Sequence, residues 1–290
     1  MSKRAIADSE TQVRAALTSA DVADALALSD HAGWNQTAED WTLFIDRGHT
    51  VGQRDEAGRW VATAAALPYG GIGWISMVLV TPAFRHRGIA TVLMTDCLQW
   101  LQAQQITPVL DATPDGAQVY RRIGFEPGFD LARWDGVAGA SDGPPQHESL
   151  NRVHSAGIAQ LDAIAALDRS ASGLERRFLF SAFLSRPDSR AHLSDDASGF
   201  VIARRGRRAT QIGPLVARDE RYAIALLDAA LSSSTGRVFC DVPSRWHGLQ
   251  TRLEQRGFVR QRPFVRMALG NSQAANCGEQ MFVLAGPEFG

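Results

Sequence analysis

Cysteine is scarce in this chain, which has three among 290 residues. Cys97, Cys240 and Cys277 lie far apart and show neither metal-ligand spacing nor the spacing of a disulfide framework. Their distribution favours the reducing cytoplasm over secretion and predicts buried, small hydrophobic side chains. The histidines form no ligand-spaced cluster either, so no metal site is predicted.

An excess of charge is also missing, since 30 Lys and Arg residues balance 31 Asp and Glu residues, for a net charge of −1. A chain with this balance has no global field that would attract nucleic acid or an anionic membrane. Residues 1–11 are polar and contain no apolar signal-peptide core, so we expect no export. Neither nucleic acid nor a membrane is therefore expected as a partner.

One uncharged run, residues 60–80, is about as long as a membrane span. Pro68, Gly70, Gly71 and Gly73 interrupt it, and β-branched and aromatic residues dominate its second half. These features predict two strands joined by a turn.

A basic, glycine-containing turn follows the second of these strands. Val78, Leu79 and Val80 end the strand, and an amphipathic helix begins shortly after Gly88. Backbone N–H groups at a helix N-terminus, beside Arg85 and Arg87, favour an anion. The sequence therefore predicts a phosphate-binding turn and an anionic cofactor. The turn matches neither the dinucleotide glycine pattern nor a Walker loop, which disfavours nicotinamide cofactors and nucleotide hydrolysis.

Two motifs in order carry a family resemblance. Arg85-His86-Arg87-Gly88-Ile89-Ala90 resembles the Arg/Gln-x-x-Gly-x-Gly/Ala acetyl-CoA signature of the GNAT N-acetyltransferases. Asp111-Ala112-Thr113-Pro114, followed by Tyr120 and Gly124-Phe125, resembles the later strand-helix motif of that family, which ends in Tyr-x-x-x-Gly-Phe. The resemblance implies an α+β (α/β mixed) fold whose twisted, largely antiparallel sheet is flanked by helices.

The resemblance also implies the cofactor, acetyl-CoA, and the residues that hold it. Backbone groups of the strand ending at Val80 would pair with the pantetheine arm, and the basic turn would hold the pyrophosphate. Tyr120 would be the general acid that protonates the departing CoA thiolate, because a phenol is protonated at neutral pH. The alternative for Tyr120 is a core aromatic. The predicted cofactor-binding residues are Val78, Leu79, Val80, Arg85, His86, Arg87, Gly88, Ile89, Ala90 and Thr113.

Acceptor contacts are expected from the first two helices and their connection, in which residues 35–40 supply polar capping residues for the second helix. Trp34 and Asn35 lie in that connection, and Trp34 could form a wall for an apolar or cationic substrate, or alternatively anchor a helix. Trp74, on the strand before the cofactor segment, is the third predicted substrate-binding residue. Asp111 is a weak candidate for the general base, with a solvated carboxylate or a turn as its alternative.

The second half repeats the order of the first, and its Gly257-Phe258 corresponds to Gly124-Phe125. Residues 1–136 form the predicted catalytic, cofactor-binding GNAT domain, residues 137–149 a Gly- and Pro-rich linker, and residues 150–290 a degenerate GNAT-like domain. The second copy has Asp219 and Glu220 where phosphates would lie, and Leu253 in place of Tyr120. We therefore expect it to have lost catalysis and to shape the acceptor site or support the structure. Its basic run, residues 204–208, is predicted to be a solvated hairpin tip.

The sequence thus predicts an acetyl-CoA-dependent N-acetyltransferase acting on the amine of a small molecule. Transfer of another acyl group, or transfer to a hydroxyl, is an enzymatic alternative. A CoA-responsive binding or regulatory module without turnover is the alternative from another class. Tyr120 favours chemistry, whereas the lack of a recognisable base leaves that alternative open.

Overall fold

The computed structural model describes residues 13–139, 153–276 and 278–290. Both halves of the chain contain the same succession of strands and helices. The first half comprises β1 (Arg14–Ala16), α1 (Val22–His31), α2 (Ala38–Arg47), β2 (His49–Arg54), β3 (Trp60–Pro68), β4 (Ile72–Val80), α3 (Ile89–Ala103), β5 (Thr107–Ala112), α4 (Pro114–Arg122) and β6 (Phe125–Ala138). The second comprises β7 (Val153–Ala156), α5 (Leu161–Ser172), α6 (Arg177–Leu184), β8 (Arg190–Ser194), β9 (Gly199–Arg205), β10 (Thr210–Ala217), α7 (Glu220–Ser232), β11 (Gly236–Pro243), α8 (His247–Gln255) and β12 (Val259–Leu269), followed by β13 (Met281–Val283).

Local sequence explains several helix boundaries. The hydroxyl of Thr37 accepts from the N–H of Asp40, and the Asp40 carboxylate accepts from the N–H of Thr37, so a capping box begins α2. The N-terminal cap of α4 is Thr113, with Pro114 in the first helical position. The first of these caps matches the polar capping residues that the sequence predicts before the second helix.

All the strands belong to one sheet, in the order β1-β2-β3-β4-β5-β12-β6-β11-β10-β9-β8-β7, with β13 added beside β10. Pairing is antiparallel except between β4 and β5 and between β10 and β11. The last strand of each half lies beside the other half: β12 pairs with β5, and β6 pairs with β11. The two copies therefore exchange their final strands and share one continuous sheet.

The exchange moves the end of the first copy beyond its predicted boundary. Strand β6 continues to Ala138, so Val137 and Ala138, expected in the linker, pair with Arg237 and Gly236. Gly136 lies within the strand and pairs with Val238, and its lack of a Cβ leaves room for the ring of Phe258 against the backbone. The rest of the predicted linker, from residue 140, lies outside the described residues.

The two faces of the sheet carry different sets of helices. Buried residues of α3 pack on the β4 and β5 region of the first copy, and those of α7 and α8 on the corresponding region of the second. On the opposite face, α1, α2, α5 and α6 contribute to one common core. Phe289 lies within it, with its ring centroid 5.0 Å from that of Phe44 and 5.2 Å from that of Phe183. The copies therefore share a core as well as a sheet.

Candidate active site

A cleft opens where β4 and β5 separate. The two strands pair only through Ile72–Trp74 and Thr107–Val109, whereas β4 continues to Val80. The pairing of β4 with β3 shifts register near Met77, whose φ is +56°. This irregularity is a β-bulge, which bends a strand and re-aims its side chains. The resulting cleft has a volume of about 310 Å³.

Both halves of the chain line this cleft. The first half contributes the α1–α2 connection, β4, the end of β5, α4 with its N-cap, and β6: Gly33, Trp34, Asn35, Gln36, Ile75, Ser76, Met77, Val78, Leu110, Asp111, Ala112, Thr113, Gly116, Tyr120 and Arg133. The second half contributes β11, β12 and the segment after β13: Phe239, Gln261, Arg262, Phe264, Pro287 and Glu288. The sequence reading assigned none of the latter group to the site.

The basic turn lies beyond the end of β4. Gly88 is the N-cap of α3 and has a φ of +78°, and His86 also lies in the left-handed region, with a φ of +62°. A Cβ at Gly88 would meet no heavy atom within 4 Å, so glycine is favoured there by its backbone conformation. No side chain caps α3. Its N-terminus therefore presents backbone N–H groups that can bind an anion.

The two arginines of the turn are exposed and bonded to nearby backbone oxygens. Arg85 donates through Nε to the carbonyl of Val80 at 3.1 Å, and Arg87 donates through Nη2 to that of Ala83 at 3.1 Å. Among the other predicted cofactor residues, Val78 lines the cleft, while Leu79 and Ile89 are buried. Any contact of Leu79 or Ile89 with a cofactor would therefore use backbone atoms. His86 is exposed and Ala90 is half-buried.

Tyr120 lies at the cleft, in the last turns of α4. Its ring packs against Phe125, with 5.9 Å between the centroids, so its apolar part belongs to the core as well. Burial raises the pKa of the Tyr120 phenol above its ordinary value of about 10. The hydroxyl is therefore protonated at neutral pH. Thr113 also lines the cleft, with its hydroxyl accepting from the N–H of Gly116.

The predicted acceptor residues have different positions. Trp34 is half-buried and lines the cleft. Asn35 lines it too, but its Oδ1 accepts from the N–H groups of Arg208 and Ala209, at 2.9 and 3.0 Å, which ties the α1–α2 connection to the second copy. Trp74 is 1% exposed and does not line the cleft. Its indole N–H donates to the carbonyl of Pro287 at 3.0 Å, so Trp74 supports the cleft from beneath.

The run at residues 204–208 also differs from its prediction. It joins β9 to β10 as expected, but Arg204 is fully buried and pairs with Glu288 at 2.7 Å. Arg207 and Arg208 pair with Asp30 of α1. A hairpin tip that docks on the other copy is therefore only partly solvated.

Besides the Arg204–Glu288 pair, two further ion pairs with little exposure lie around the cleft. Arg266 donates through Nε and Nη2 to the two carboxylate oxygens of Asp111, at 2.9 and 3.0 Å. Arg133 binds Asp241 in the same way, at 3.0 and 2.9 Å. Burial raises the pKa of the Asp111 carboxyl, and Arg266 opposes that rise. Because Arg266 engages both of its oxygens, Asp111 is poorly placed to accept a substrate proton.

The comparisons with known proteins follow the same division of the chain. Residues 19–125 match the Acetyltransferase (GNAT) family, and residues 164–283 match an Acetyltransferase (GNAT) domain. The chain belongs to the GNAT acetyltransferases. It contains two GNAT folds in tandem and is an acyltransferase. The prediction of a mixed α/β tandem fold is therefore confirmed.

Individual relatives of this GNAT chain are distant. The chain is 20% identical to an uncharacterized N-acetyltransferase, YitH, of Bacillus subtilis, over 82% of this chain and 84% of YitH. A putative acetyltransferase from Pyrococcus horikoshii superposes with a TM-score of 0.80 at 19% identity, with all of both chains covered. A GCN5-related N-acetyltransferase from Sphaerobacter thermophilus gives 0.62 at 18% identity, over 90% of this chain and 96% of that one. These structures support the fold of the tandem chain.

The second GNAT copy differs where the first has its cleft. β10 and β11 also separate, after Ile212, but β13 lies between them. Just before β13, the backbone carbonyl of Gln280 accepts from the N–H of Ala217. Just after β13, the N–H of Leu284 donates to the backbone carbonyl of Asp241. The chain itself therefore fills the space that is open between β4 and β5.

The helix that corresponds to α3 is also closed to an anion. The Asp219 carboxylate caps α7 by accepting from the N–H groups of Arg221 and Tyr222, at 3.0 and 3.2 Å. Leu253, which replaces Tyr120, is fully buried. Each of the three features of the first site is thus changed in the second copy. Across the described part of this GNAT chain, no helix is long and apolar enough to cross a membrane.

Proposed function

We propose that the chain transfers the acetyl group of acetyl-CoA to the amine of a small molecule, with the cofactor bound by the first copy. The observation that carries this proposal is the contrast between the copies. The first has an open slot beside β4 and an uncapped helix N-terminus, whereas the second has β13 in its slot and Asp219 on its helix.

The slot beside β4 suits the pantetheine arm. Residues 75–80 of β4 extend beyond the last pair with β5, and an extended amide-containing chain can bind the backbone of such an edge. The second copy supports this assignment, because β13 takes the corresponding position as a peptide strand. Acetyl-CoA would thus add a short strand to the first copy.

The turn before α3 suits the pyrophosphate. Its N–H groups and the exposed Arg85 and Arg87 can approach phosphate oxygens, with charge-assisted hydrogen bonds worth about 1.5–3 kcal/mol each. The arginines would exchange their present carbonyl partners for phosphate. No carboxylate lies in the first turn of α3 to oppose the anion.

Tyr120 would act as the general acid. It lines the same cleft as Val78, and its raised pKa keeps a proton on the hydroxyl at neutral pH. Acetyl-CoA supplies the activated acyl group. Tyr120 would give its proton to the sulfur as the C–S bond breaks.

The shape of the cleft favours a small acceptor. It is closed on one side by the α1–α2 connection and on another by residues of the second copy, within a volume of about 310 Å³. A folded protein could enter it only with a projecting side chain. We therefore assign the second copy the acceptor-shaping role, and the cofactor binding to the first copy alone.

Calorimetric titration of acetyl-CoA tests this proposal. The wild type should bind one equivalent per chain, and the double variant Arg87→Glu, Gly88→Trp should bind none while keeping its circular dichroism spectrum. Arg221→Glu makes the same charge change at the start of α7 and is the matched control, so it should bind like the wild type. No binding by the wild type would refute the proposal, and two equivalents would refute a silent second copy.

Thiol release then separates an enzyme from a binding module. A panel of small amines and alcohols is incubated with acetyl-CoA, and free CoA is measured. Release with amines is the expected result. Tight binding without release from any acceptor would instead indicate a CoA-responsive module.

A further inference from the structure

The charges around the cleft do not all cancel. Three arginines pair with carboxylates across the sheet or the core: Arg266 with Asp111, Arg133 with Asp241, and Arg204 with Glu288. Arg262 also lines the cleft, but among the described residues it has no carboxylate partner within ion-pair distance. The cleft therefore contains one arginine that forms no ion pair with a carboxylate of the described residues.

Arg262 occupies a defined position on β12. Val265 pairs with Ala112 at the end of β5, so Arg262 lies three residues past that end, toward the start of α4. Its guanidinium lies 5.9 Å from the ring centroid of Phe264. Burial and the nearby Arg133 lower the pKa of Arg262, and the Asp241 carboxylate, which binds Arg133, opposes that shift. An anion bound there would relieve both effects.

Glu288 is a carboxylate at the same cleft. Its side chain is 7% exposed. Oε1 accepts from Nη2 of Arg204 at 2.7 Å, while Oε2 forms no hydrogen bond within the described chain. A buried carboxylate at a cleft, with one oxygen outside its ion pair, can bind an ammonium group and then take its proton.

We propose that the acceptor carries an anionic group beside its amine, with Arg262 binding the anion and Glu288 facing the amine. This inference rests on the proposed function. The substrate class is a small zwitterion whose anion is a carboxylate or a phosphate, since a guanidinium binds both through paired N–H groups. Both recognition residues belong to the second copy, which gives that copy a part in specificity.

The proton transfers balance with these residues. The acceptor ammonium loses one proton to Glu288, and its nitrogen lone pair forms the N–C bond to the acetyl carbon. The C–S bond breaks, the sulfur takes the proton of Tyr120, and the second proton leaving nitrogen restores the phenol. Glu288 returns its proton to solvent when the product leaves.

Paired acceptors test the charge requirement. The full-length enzyme is assayed by thiol release with a panel of L-amino acids and their carboxamides, and with 2-aminoethyl phosphate and ethanolamine. Within each pair, the anionic member should have a kcat/KM at least about tenfold higher, mainly through KM, because a charged hydrogen-bonded contact is worth about that factor or more. The two kinds of pair distinguish carboxylate from phosphate.

Variants assign the effect to the two residues. Arg262→Gln should abolish the preference for anionic acceptors. Arg260 is an exposed arginine of the same strand that does not line the cleft, so Arg260→Gln should keep that preference. Glu288→Gln retains an oxygen for Arg204 and should lower kcat about a hundredfold for every acceptor. All three variants should bind acetyl-CoA within about twofold of the wild type, which also shows that they fold.

Three results would overturn the inference. The first is equal or better turnover of the neutral member of each pair by the wild type, and the second is no turnover of any anionic member although acetyl-CoA binds. The third is a preference that survives in Arg262→Gln. If the wild type did not bind acetyl-CoA, the proposed function would be refuted instead. Failure of the proposed function and failure of this inference are therefore distinguishable.

Discussion

Arg266, on the last strand of the second copy, forms a two-point ion pair with Asp111, on the fifth strand of the first. The side chains are 5% and 0% exposed. Arg133 and Asp241 form the corresponding pair, in which the arginine belongs to the first copy and the carboxylate to the second. Each arginine follows its Gly-Phe motif at the same distance, nine residues after Gly124 or Gly257. The pairs are therefore equivalent, and they connect the exchanged strands to their neighbours.

Breaking one of these pairs should destabilise the whole protein. Arg266→Met leaves the Asp111 carboxylate buried and unpaired, so we expect the free energy of unfolding to fall by about 3–5 kcal/mol. Asp111→Asn combined with Arg266→Met should recover part of that loss. Urea denaturation followed by circular dichroism measures both.

The matched control for this pair lies on the surface. Arg59 donates from Nε and Nη2 to one carboxylate oxygen of Asp55, at 2.9 and 2.8 Å, but the Arg59 side chain is 77% exposed. Arg59→Met should change stability by less than about 1 kcal/mol. An equal effect of both substitutions would contradict the role assigned to burial.

Tyr120→Phe should impair chemistry and spare binding. Removing the phenolic proton donor should lower kcat by about a hundredfold or more, with the dissociation constant of acetyl-CoA changed less than about twofold. Tyr222→Phe, in the second copy, should leave kcat unchanged. Stopped-flow thiol release and calorimetry provide the two readouts, and an unchanged kcat in Tyr120→Phe would leave the tyrosine as a core aromatic.

Tyr69 predicts a change in stability with pH. It is 1% exposed, and its hydroxyl has no hydrogen-bond partner within the described residues. Burial raises the pKa of Tyr69, so at high pH this phenol ionises in the unfolded chain before it ionises in the folded one. The free energy of unfolding is therefore unaffected by this ionisation below about pH 10, the unfolded-state pKa, and falls as the pH rises above it. Tyr69→Phe should weaken the alkaline loss of stability. At pH 7 it should be neutral or stabilising by about 1–3 kcal/mol, because it removes an unsatisfied buried group. Thermal melts from pH 7 to 11 test this.

Asn35 should affect the acceptor rather than the cofactor. Asn35→Ala removes the oxygen that accepts from Arg208 and Ala209, at a cost of about 1–3 kcal/mol in stability, and loosens one wall of the cleft. We expect a higher KM for the acceptor with unchanged acetyl-CoA affinity. Asn35→Asp keeps an accepting oxygen and should stay near the wild type. A selective loss of acetyl-CoA affinity would mean that the loop serves the other substrate.

Much of the fold could be predicted from the sequence, because short-range patterns encode it. The capping residues before α2 and the turn before α3 predicted where these helices begin. The two Gly-Phe motifs predicted the duplication. The strands β7, β8, β12 and β13 were missed. β12 carries three arginines between residues 260 and 266, so its sequence does not alternate cleanly, and its pairing partners lie in the other half of the chain. No local pattern specifies such an exchange.

The site was predictable where a motif occupies consecutive residues. Tyr120 and Val78 were predicted in this way and both line the cleft, whereas their roles stay predictions. Arg262 and Glu288 were missed, because they reach the cleft only through the exchanged strand and the segment after β13. Trp74 was assigned to the substrate, since the sequence could not indicate that Pro287, 213 positions later, would accept its indole N–H.

Because the copies exchange their final strands, neither copy can evolve independently of the other. Had the halves been encoded as separate polypeptides, neither would complete its own sheet, and they could work only as an obligate heterodimer. In the fused chain, β12 of the second copy is part of the sheet of the first. The second copy therefore remains under constraint whatever it binds, because its last strand is an integral part of the other's architecture.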